Sequence, residues 1–157
     1  MTKTLFAGIA CIVALVSGEA VAEEGTFRLL QVNQSRYHAS MEWIGGPIES
    51  RHITGIGIVV ESSGPPFEVG SKSTSSLFVE REREGDVITA LTARKTITDG
   101  DGDRLFLLVG WTDRNRSDQT IRGGTGKFAG LQGSCVYSVE FFSEDRQVID
   151  KSCNWRR

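Results

Sequence analysis

The hydrophobic positions of this chain recur with a period of two, the spacing of a strand that buries one face. After residue 22, alternating or short continuous apolar runs follow one another, and none has the period of about 3.6 of an amphipathic helix. Turn residues, chiefly Gly, Pro and Asp, separate the runs. The pattern predicts an all-β chain with eight strands, at residues 26–33, 52–61, 75–83, 86–98, 104–113, 119–122, 133–142 and 146–155.

The run 105–109 is apolar at every position, so we expect both faces of that strand to be covered. A barrel with something packed against its outer wall would provide this cover. The sequence offers three candidates: the segment 34–49, which we expect to be irregular, a chain terminus, or a neighbouring subunit.

A glycine-dense segment separates the sixth and seventh predicted strands. Residues 124–129 match the G-x-G-x-x-A pattern of dinucleotide-binding folds, but that pattern requires a helix after it, and here a strand follows. We therefore interpret the segment as a structural turn and expect no nucleotide there. Its glycines are Gly123, Gly124, Gly126, Gly130 and Gly133.

Two cysteines in the last two predicted strands are placed to form a disulfide. If residues 143–146 make a hairpin turn, the antiparallel register sets Cys135 opposite Cys153 and Tyr137 opposite Lys151. Bridging Cys135 to Cys153 would stabilise the fold by roughly 3 kcal/mol. Two buried, reduced thiols are the alternative.

The first 22 residues have the pattern of a secretory signal peptide. An apolar run over residues 5–16 follows Lys3 and leads to the small residues of 20–22, which predicts cleavage after Ala22. The run is shorter than the roughly 20 residues of a membrane-spanning helix, and lipidation at Cys11 is the alternative. We expect a signal peptide at 1–22, one β-barrel domain at 23–157, a periplasmic or secreted location, and no membrane association of the mature form.

Charge and the remaining motifs exclude several classes of function. The net charge of −2 gives no basic surface for nucleic acid. The acidic turn 99–103 lacks the glycine and glutamate that an EF-hand loop needs, and His38 and His52 have no partners at zinc-binding spacing. We therefore expect no metal, no cofactor and no catalytic residues.

The acidic turn and the glycine segment, residues 99–113 and 123–134, together resemble the allene oxide cyclase barrel-like superfamily. That group includes plant dirigent proteins and many bacterial exported proteins, and the chain looks like a member of the exported bacterial branch. The resemblance implies a single eight-stranded antiparallel β-barrel with an internal cavity, similar to lipocalins in outline, and a homo-oligomer. It transfers no catalytic residue, because no position matches a cyclase or dirigent active-site set.

These observations favour a non-catalytic exported barrel that binds a small apolar ligand, with Trp111 and Tyr137 as candidate ligand contacts. One alternative is a cyclase or isomerase that steers a reactive small molecule in the cavity, which a desolvated carboxylate or arginine near Trp111 or Tyr137 would favour. Another is an inhibitor or adhesion module that acts through an exposed apolar outer surface.

Overall fold

The computed structural model describes residues 23–42, 46–84, 87–113, 116–143 and 145–157. For residues 83–84, 87–90, 111–113 and 116–117 it describes the backbone alone. The predicted signal peptide lies outside the described residues. The strands are β1 (Glu24–Met41), β2 (Ile48–Ser62), β3 (Lys72–Glu84), β4 (Val87–Asp99), β5 (Arg104–Asp113), β6 (Arg116–Gly124), β7 (Gln132–Ser143) and β8 (Arg146–Arg156), with a 3-10 turn at Gly126–Phe128 between β6 and β7.

Every strand pairs antiparallel with the next one, and β1 pairs with β8, which closes an eight-stranded barrel. The all-β, eight-stranded prediction is confirmed. The prediction that 34–49 is irregular is wrong, because β1 and β2 stay paired from Gln34↔Thr54 to Met41↔Ile48. Polar side chains on both faces hide the period of two there, although the backbone ladder continues.

Alternate residues of each strand point into the barrel, as the pleat of a β-strand requires. At the end where β1 begins and β8 finishes, the interior is filled by aromatic side chains. Phe67, from the loop after β2, stacks on Phe27 with ring centroids 3.7 Å apart and on Phe128 at 5.2 Å. Trp155 packs beside Phe67 and is buried. Burial of each such ring contributes about 1.5–3 kcal/mol to folding.

The outer face of β5 is only partly covered. Leu105, Leu107 and Val109 point inward and are buried, but Phe106 is exposed and Leu108 is half-buried. The expectation that both faces of 105–109 are covered is therefore wrong for this chain by itself. Within the segment proposed as one of the covers, residues 34–41 and 48–49 belong to the barrel wall instead.

The last hairpin has the predicted register. Cys135 lies opposite Cys153 and Tyr137 opposite Lys151, with a single irregularity between Phe141 and Ser143 at the turn. A disulfide joins Cys135 to Cys153, whose Cα atoms are 4.0 Å apart. The predicted bridge is confirmed, and it ties β7 to β8 inside the buried core.

The glycine segment and the acidic turn interlock at the filled end of the barrel. Lys127 Nζ lies 2.6 Å from Asp99 Oδ2 and 2.8 Å from Asp101 Oδ2, so the glycine segment neutralises the acidic turn. Gly126 has a φ of 51°, and a Cβ at this position would collide with the Asp103 carboxylate. The two motifs therefore form one structural corner.

Candidate functional site

A layer of polar side chains crosses the barrel next to the aromatic end. Lys95 from β4 and Lys151 from β8 point inward from opposite walls and are 2% and 0% exposed. None of the buried polar residues in the described part of the chain is acidic. Two lysine side chains thus share the barrel interior, and no carboxylate is among the described buried residues. The other buried members of this polar layer are Gln31, Asn33, Ser75 and Gln119.

Burial makes both lysines weaker bases. Burial lowers the pKa of Lys95 to about 8, although a side-chain hydrogen bond with Lys151 opposes this. Burial also lowers the pKa of Lys151, well below its usual range, and the positive charge of Lys95 lowers it further. Lys95 Nζ donates to Gln31 Oε1. Lys151 Nζ meets no acceptor among the described residues. Charge is therefore costly at Lys151, and a neutral amine is favoured.

Side-chain amides in the same layer have unused hydrogen-bonding capacity. Within the described part of the chain, no partner reaches Gln31 Nε2, Gln119 Oε1, or either polar atom of Asn33. A buried polar group without a partner costs about 1–3 kcal/mol, so several such groups together indicate a site that a polar ligand or water completes.

Two glycines in β2 make room for this layer. Gly57 lies opposite Gln31, and Gly55 lies opposite Asn33. A Cβ on Gly57 would lie 2.9 Å from Gln31 Cγ, and one on Gly55 would collide with Asn33 Oδ1. Glycine inside a strand often marks a close approach of this kind.

Tyr137 belongs to the polar layer. It pairs directly with Lys151 on the same face of the β7–β8 hairpin. Burial raises the pKa of Tyr137, and a hydrogen bond with the Gln119 side chain partly offsets that effect. The other candidate from the sequence, Trp111, lies in β5 opposite Ser117, and its side chain is outside the described residues.

The described pairing between β6 and β7 is short and ends before Tyr137. The pairing of β6 with β7 consists of three residue pairs, from Ile121↔Gly133 to Gln119↔Cys135. Past Cys135, β7 remains paired with β8 but with no described residue of β6. Along the inner face of β7, Val139 is 36% exposed and Phe141 is 70% exposed. The polar layer is therefore closer to solvent on this side than at the aromatic end.

The aromatic end itself has little free space. A cavity of about 30 Å³ lies among Phe27, Phe67, Ile97, Leu105 and Phe128. This is room for about one or two water molecules. The cavity at the aromatic end is therefore too small for an organic ligand.

Farther from the aromatic end, the inner wall is apolar and then charged. Leu77, Ala93 and Val109 form a second small core cluster. Beyond it, the Glu49 carboxylate pairs with Arg81 and lies 3.7 Å from His38 Nε2. The second histidine, His52, has its Nε2 2.9 Å from Ser76 Oγ. A molecule in this half would meet a polar layer, an apolar wall and a charged rim.

The outer wall carries a separate apolar surface on β1 and β2. Val32 and Ile56 are exposed and lie opposite each other in the β1–β2 pair, and Ile58 beside them is 39% exposed. Leu30 and Val148 complete this apolar groove. Such a patch is the feature that a protein acting through its outer surface would need.

Sequence reasoning missed the lysines. The predicted register places Lys151 on the inner face opposite Tyr137, but it does not by itself predict burial of the amine. Lys95 follows the buried Ala93 and precedes the buried Ile97 at a spacing of two, so its position between them was a usable signal. The second usable signal was the pair of glycines, Gly55 and Gly57, inside a strand with alternating residues.

The fold defines a small closed barrel with an ionisable interior, and comparison with known proteins places it in a structural class. The barrel is similar to the structure of a pterocarpan synthase dirigent protein, with a TM-score of 0.56 and 10% sequence identity, over 95% of this chain and 99% of that one. This likeness supports a dirigent-like fold. No protein-family model and no curated protein matches the sequence.

The described residues contain no cluster of three or more His, Cys, Asp or Glu side chains that could hold a metal ion. They also contain no helix that is long and apolar enough to cross a membrane.

Proposed function

We propose that this protein is an exported barrel that binds a small organic molecule in the half of its interior beyond the polar layer. One observation carries the proposal: two lysines are buried together with three amide side chains that keep unpartnered polar atoms, and no acidic partner is described. Natural cores rarely keep such groups without a role, because each lowers the stability of the empty barrel. A ligand that accepts hydrogen bonds would offset this cost.

The chemistry of the layer defines the ligand more closely than the expectation of an apolar one. Lys95 and Lys151 donate hydrogen bonds, so the ligand should carry a carboxylate or carbonyl oxygen at one end. The adjoining wall of Leu77, Ala93 and Val109 suits an apolar body. The ligand is thus a small amphiphile with an oxygen-bearing end.

The export proposal depends on the N-terminal pattern and the disulfide. A disulfide such as Cys135–Cys153 is typical of an oxidising compartment. We propose that residues 1–22 are a signal peptide cleaved after Ala22 and that the mature protein is periplasmic or secreted. Intact mass of the protein purified from its native host would test the cleavage site.

Isothermal titration with matched probe pairs tests the binding proposal. 4-Phenylbutyrate and 4-phenylbutanol share an apolar body and differ in the carboxylate, as do dodecanoate and dodecanol. A charge-assisted hydrogen bond is worth roughly 1.5–3 kcal/mol, so at least one carboxylate should bind about tenfold or more tightly than its alcohol. Lys151→Met should abolish the difference, and Lys72→Met, at an exposed site, should preserve it. Absence of binding, or equal binding of acid and alcohol, would contradict the proposal.

A substrate-steering enzyme is the second candidate. The desolvated amine of Lys151 lies opposite Tyr137 and supports this candidate, although the group expected from the sequence to favour catalysis was a carboxylate or an arginine. The structural neighbour is named a synthase, which is consistent with a reaction in this fold.

We also propose that the barrel forms a homo-oligomer through the apolar groove around Val32 and Ile56. The groove equally suits the alternative of an inhibitor or adhesion module. Light scattering on the wild type and on Ile56→Asp distinguishes them: a change from oligomer to monomer supports self-association, and a wild-type monomer contradicts it.

A further inference from the structure

The amine of Lys151 is placed as a nucleophile. It is fully buried, and within the described residues no acceptor holds its hydrogen atoms. Lys95, by contrast, donates to Gln31 Oε1. A buried amine beside a second cationic group is kept neutral, with its lone pair available to form a bond. The two lysines therefore differ in what they can do.

Proton-carrying groups surround this amine. Lys95 lies close enough for its charge to lower the pKa of Lys151. Tyr137 lies directly opposite Lys151 on the same face of the hairpin, a pairing that brings Cβ atoms to about 4.5–5.5 Å. The Tyr137 phenol is in turn hydrogen-bonded to the Gln119 side chain. Lys95 and Tyr137 can therefore donate protons in a reaction at the Lys151 amine.

We propose that Lys151 forms an imine with an aldehyde or ketone bound in the barrel. The inference rests on the proposed function and narrows its ligand to a carbonyl compound with an apolar body. The Lys151 nitrogen forms a bond to the carbonyl carbon, and the carbonyl π electrons move to oxygen, which takes a proton from Lys95. The nitrogen then passes a proton to the neutral Lys95 amine.

Loss of water completes the step. The hydroxyl of the carbinolamine takes a second proton from Lys95 or Tyr137 and leaves as water, and the nitrogen lone pair forms the C=N bond. Overall, amine, carbonyl compound and one proton give a protonated imine and water. No oxidant, reductant or cofactor is consumed.

We infer that the carbonyl compound enters beside the part of β7 that has no described pairing with β6. The unpaired part of β7 begins after Cys135, immediately before Tyr137. The exposed inner-face residues Val139 and Phe141 continue from Tyr137 toward solvent. The proposed route for an aromatic aldehyde follows these apolar side chains to Lys151 and avoids the aromatic end.

Reductive trapping tests the inference. The folded mature protein is treated with benzaldehyde and sodium cyanoborohydride at pH 7, and the benzylated lysines are located by peptide mass mapping. At this pH, fewer than about one in a thousand exposed lysines is neutral. We expect Lys151 to be labelled at least about tenfold faster than the exposed Lys72, and Lys151→Met to remove that fast label while Lys72→Met keeps it.

A second variant separates chemistry from folding. Lys95→Met leaves the Lys151 amine in place but removes its proton donor, so labelling of Lys151 should slow by about tenfold or more relative to wild type. Unchanged labelling in Lys95→Met would overturn the role of Lys95. Label confined to Lys72, Lys127 and the chain terminus would overturn the imine itself.

Titration with the carboxylate probes distinguishes the two proposals. If a carboxylate binds through Lys151 but benzaldehyde is not trapped there, the imine inference fails and the binding proposal stands. If carboxylates do not bind and no aldehyde is trapped, both fail.

Discussion

Lys95 and Lys151 reach into the barrel from opposite walls, and they lie close enough for the charge of Lys95 to lower the pKa of Lys151. Antiparallel strands fix both Cα positions, so neither lysine can withdraw to the surface without disrupting the wall. The fold thus holds the two lysines in place, although their burial lowers the stability of the folded state. This is the pattern expected when a binding site takes precedence over stability.

The first prediction concerns the stability cost of burying Lys151. Replacing Lys151 with Met should raise the free energy of unfolding by about 1–4 kcal/mol, because it exchanges a desolvated amine for an apolar side chain of similar length. Urea denaturation at pH 7 measures this change in the free energy of unfolding. The control Lys72→Met, at an exposed site, should stay within about 0.5 kcal/mol of wild type. A clear loss of stability in Lys151→Met would show that an undescribed acidic partner holds the lysine.

The second prediction is that stability rises between about pH 8 and pH 10. Burial lowers the pKa of Lys95 to about 8, whereas the unfolded chain keeps it near about 10.4. In that window the unfolded state binds the extra proton, so raising the pH favours the folded state, by about 3 kcal/mol in full. Lys151, whose pKa is also lowered, acts in the same direction.

Urea denaturation at several pH values measures this rise. The elevated pKa values of Tyr137 and Lys127 reverse the trend only above about pH 10, because there the unfolded state loses its protons first. Lys95→Met should show a smaller rise, and Lys72→Met the full one. A flat or falling profile in the wild type would contradict a desolvated Lys95.

The sequence predicted the barrel better than the site because the two depend on different information. Strand number and the β7–β8 register follow from alternation and turn residues, which are local. Burial of Lys95 depends on the opposite wall, which no local pattern records. Alternation also fails where both faces are polar, which is why the sequence predicts an irregular segment at the ends of β1 and β2. Gly55 and Gly57 are the local sequence feature that indicates the site.

The third prediction concerns the disulfide. Replacing both Cys135 and Cys153 with Ala should lower the free energy of unfolding by about 3 kcal/mol, chiefly because the unfolded chain regains freedom. Thermal and urea denaturation measure the loss. The wild type treated with reductant under unfolding conditions should show a similar loss, whereas the double variant should not respond to reductant.

The fourth prediction distinguishes glycines that the fold requires from those it only tolerates. At Gly133, a Cβ would lie 2.9 Å from Trp155 Cα and would collide with the Asn154 carbonyl, both in the backbone of β8. Backbone atoms of a paired strand cannot rotate away, so Gly133→Ala should lower the free energy of unfolding by about 1–3 kcal/mol.

Gly100→Ala is the matched control, because a Cβ there would have no atom within 4 Å and the φ of Gly100 is not in the left-handed region. Urea denaturation should place Gly100→Ala within about 0.5 kcal/mol of wild type. Equal effects at the two positions would mean that β7 and β8 approach less closely beside the disulfide than the structure shows.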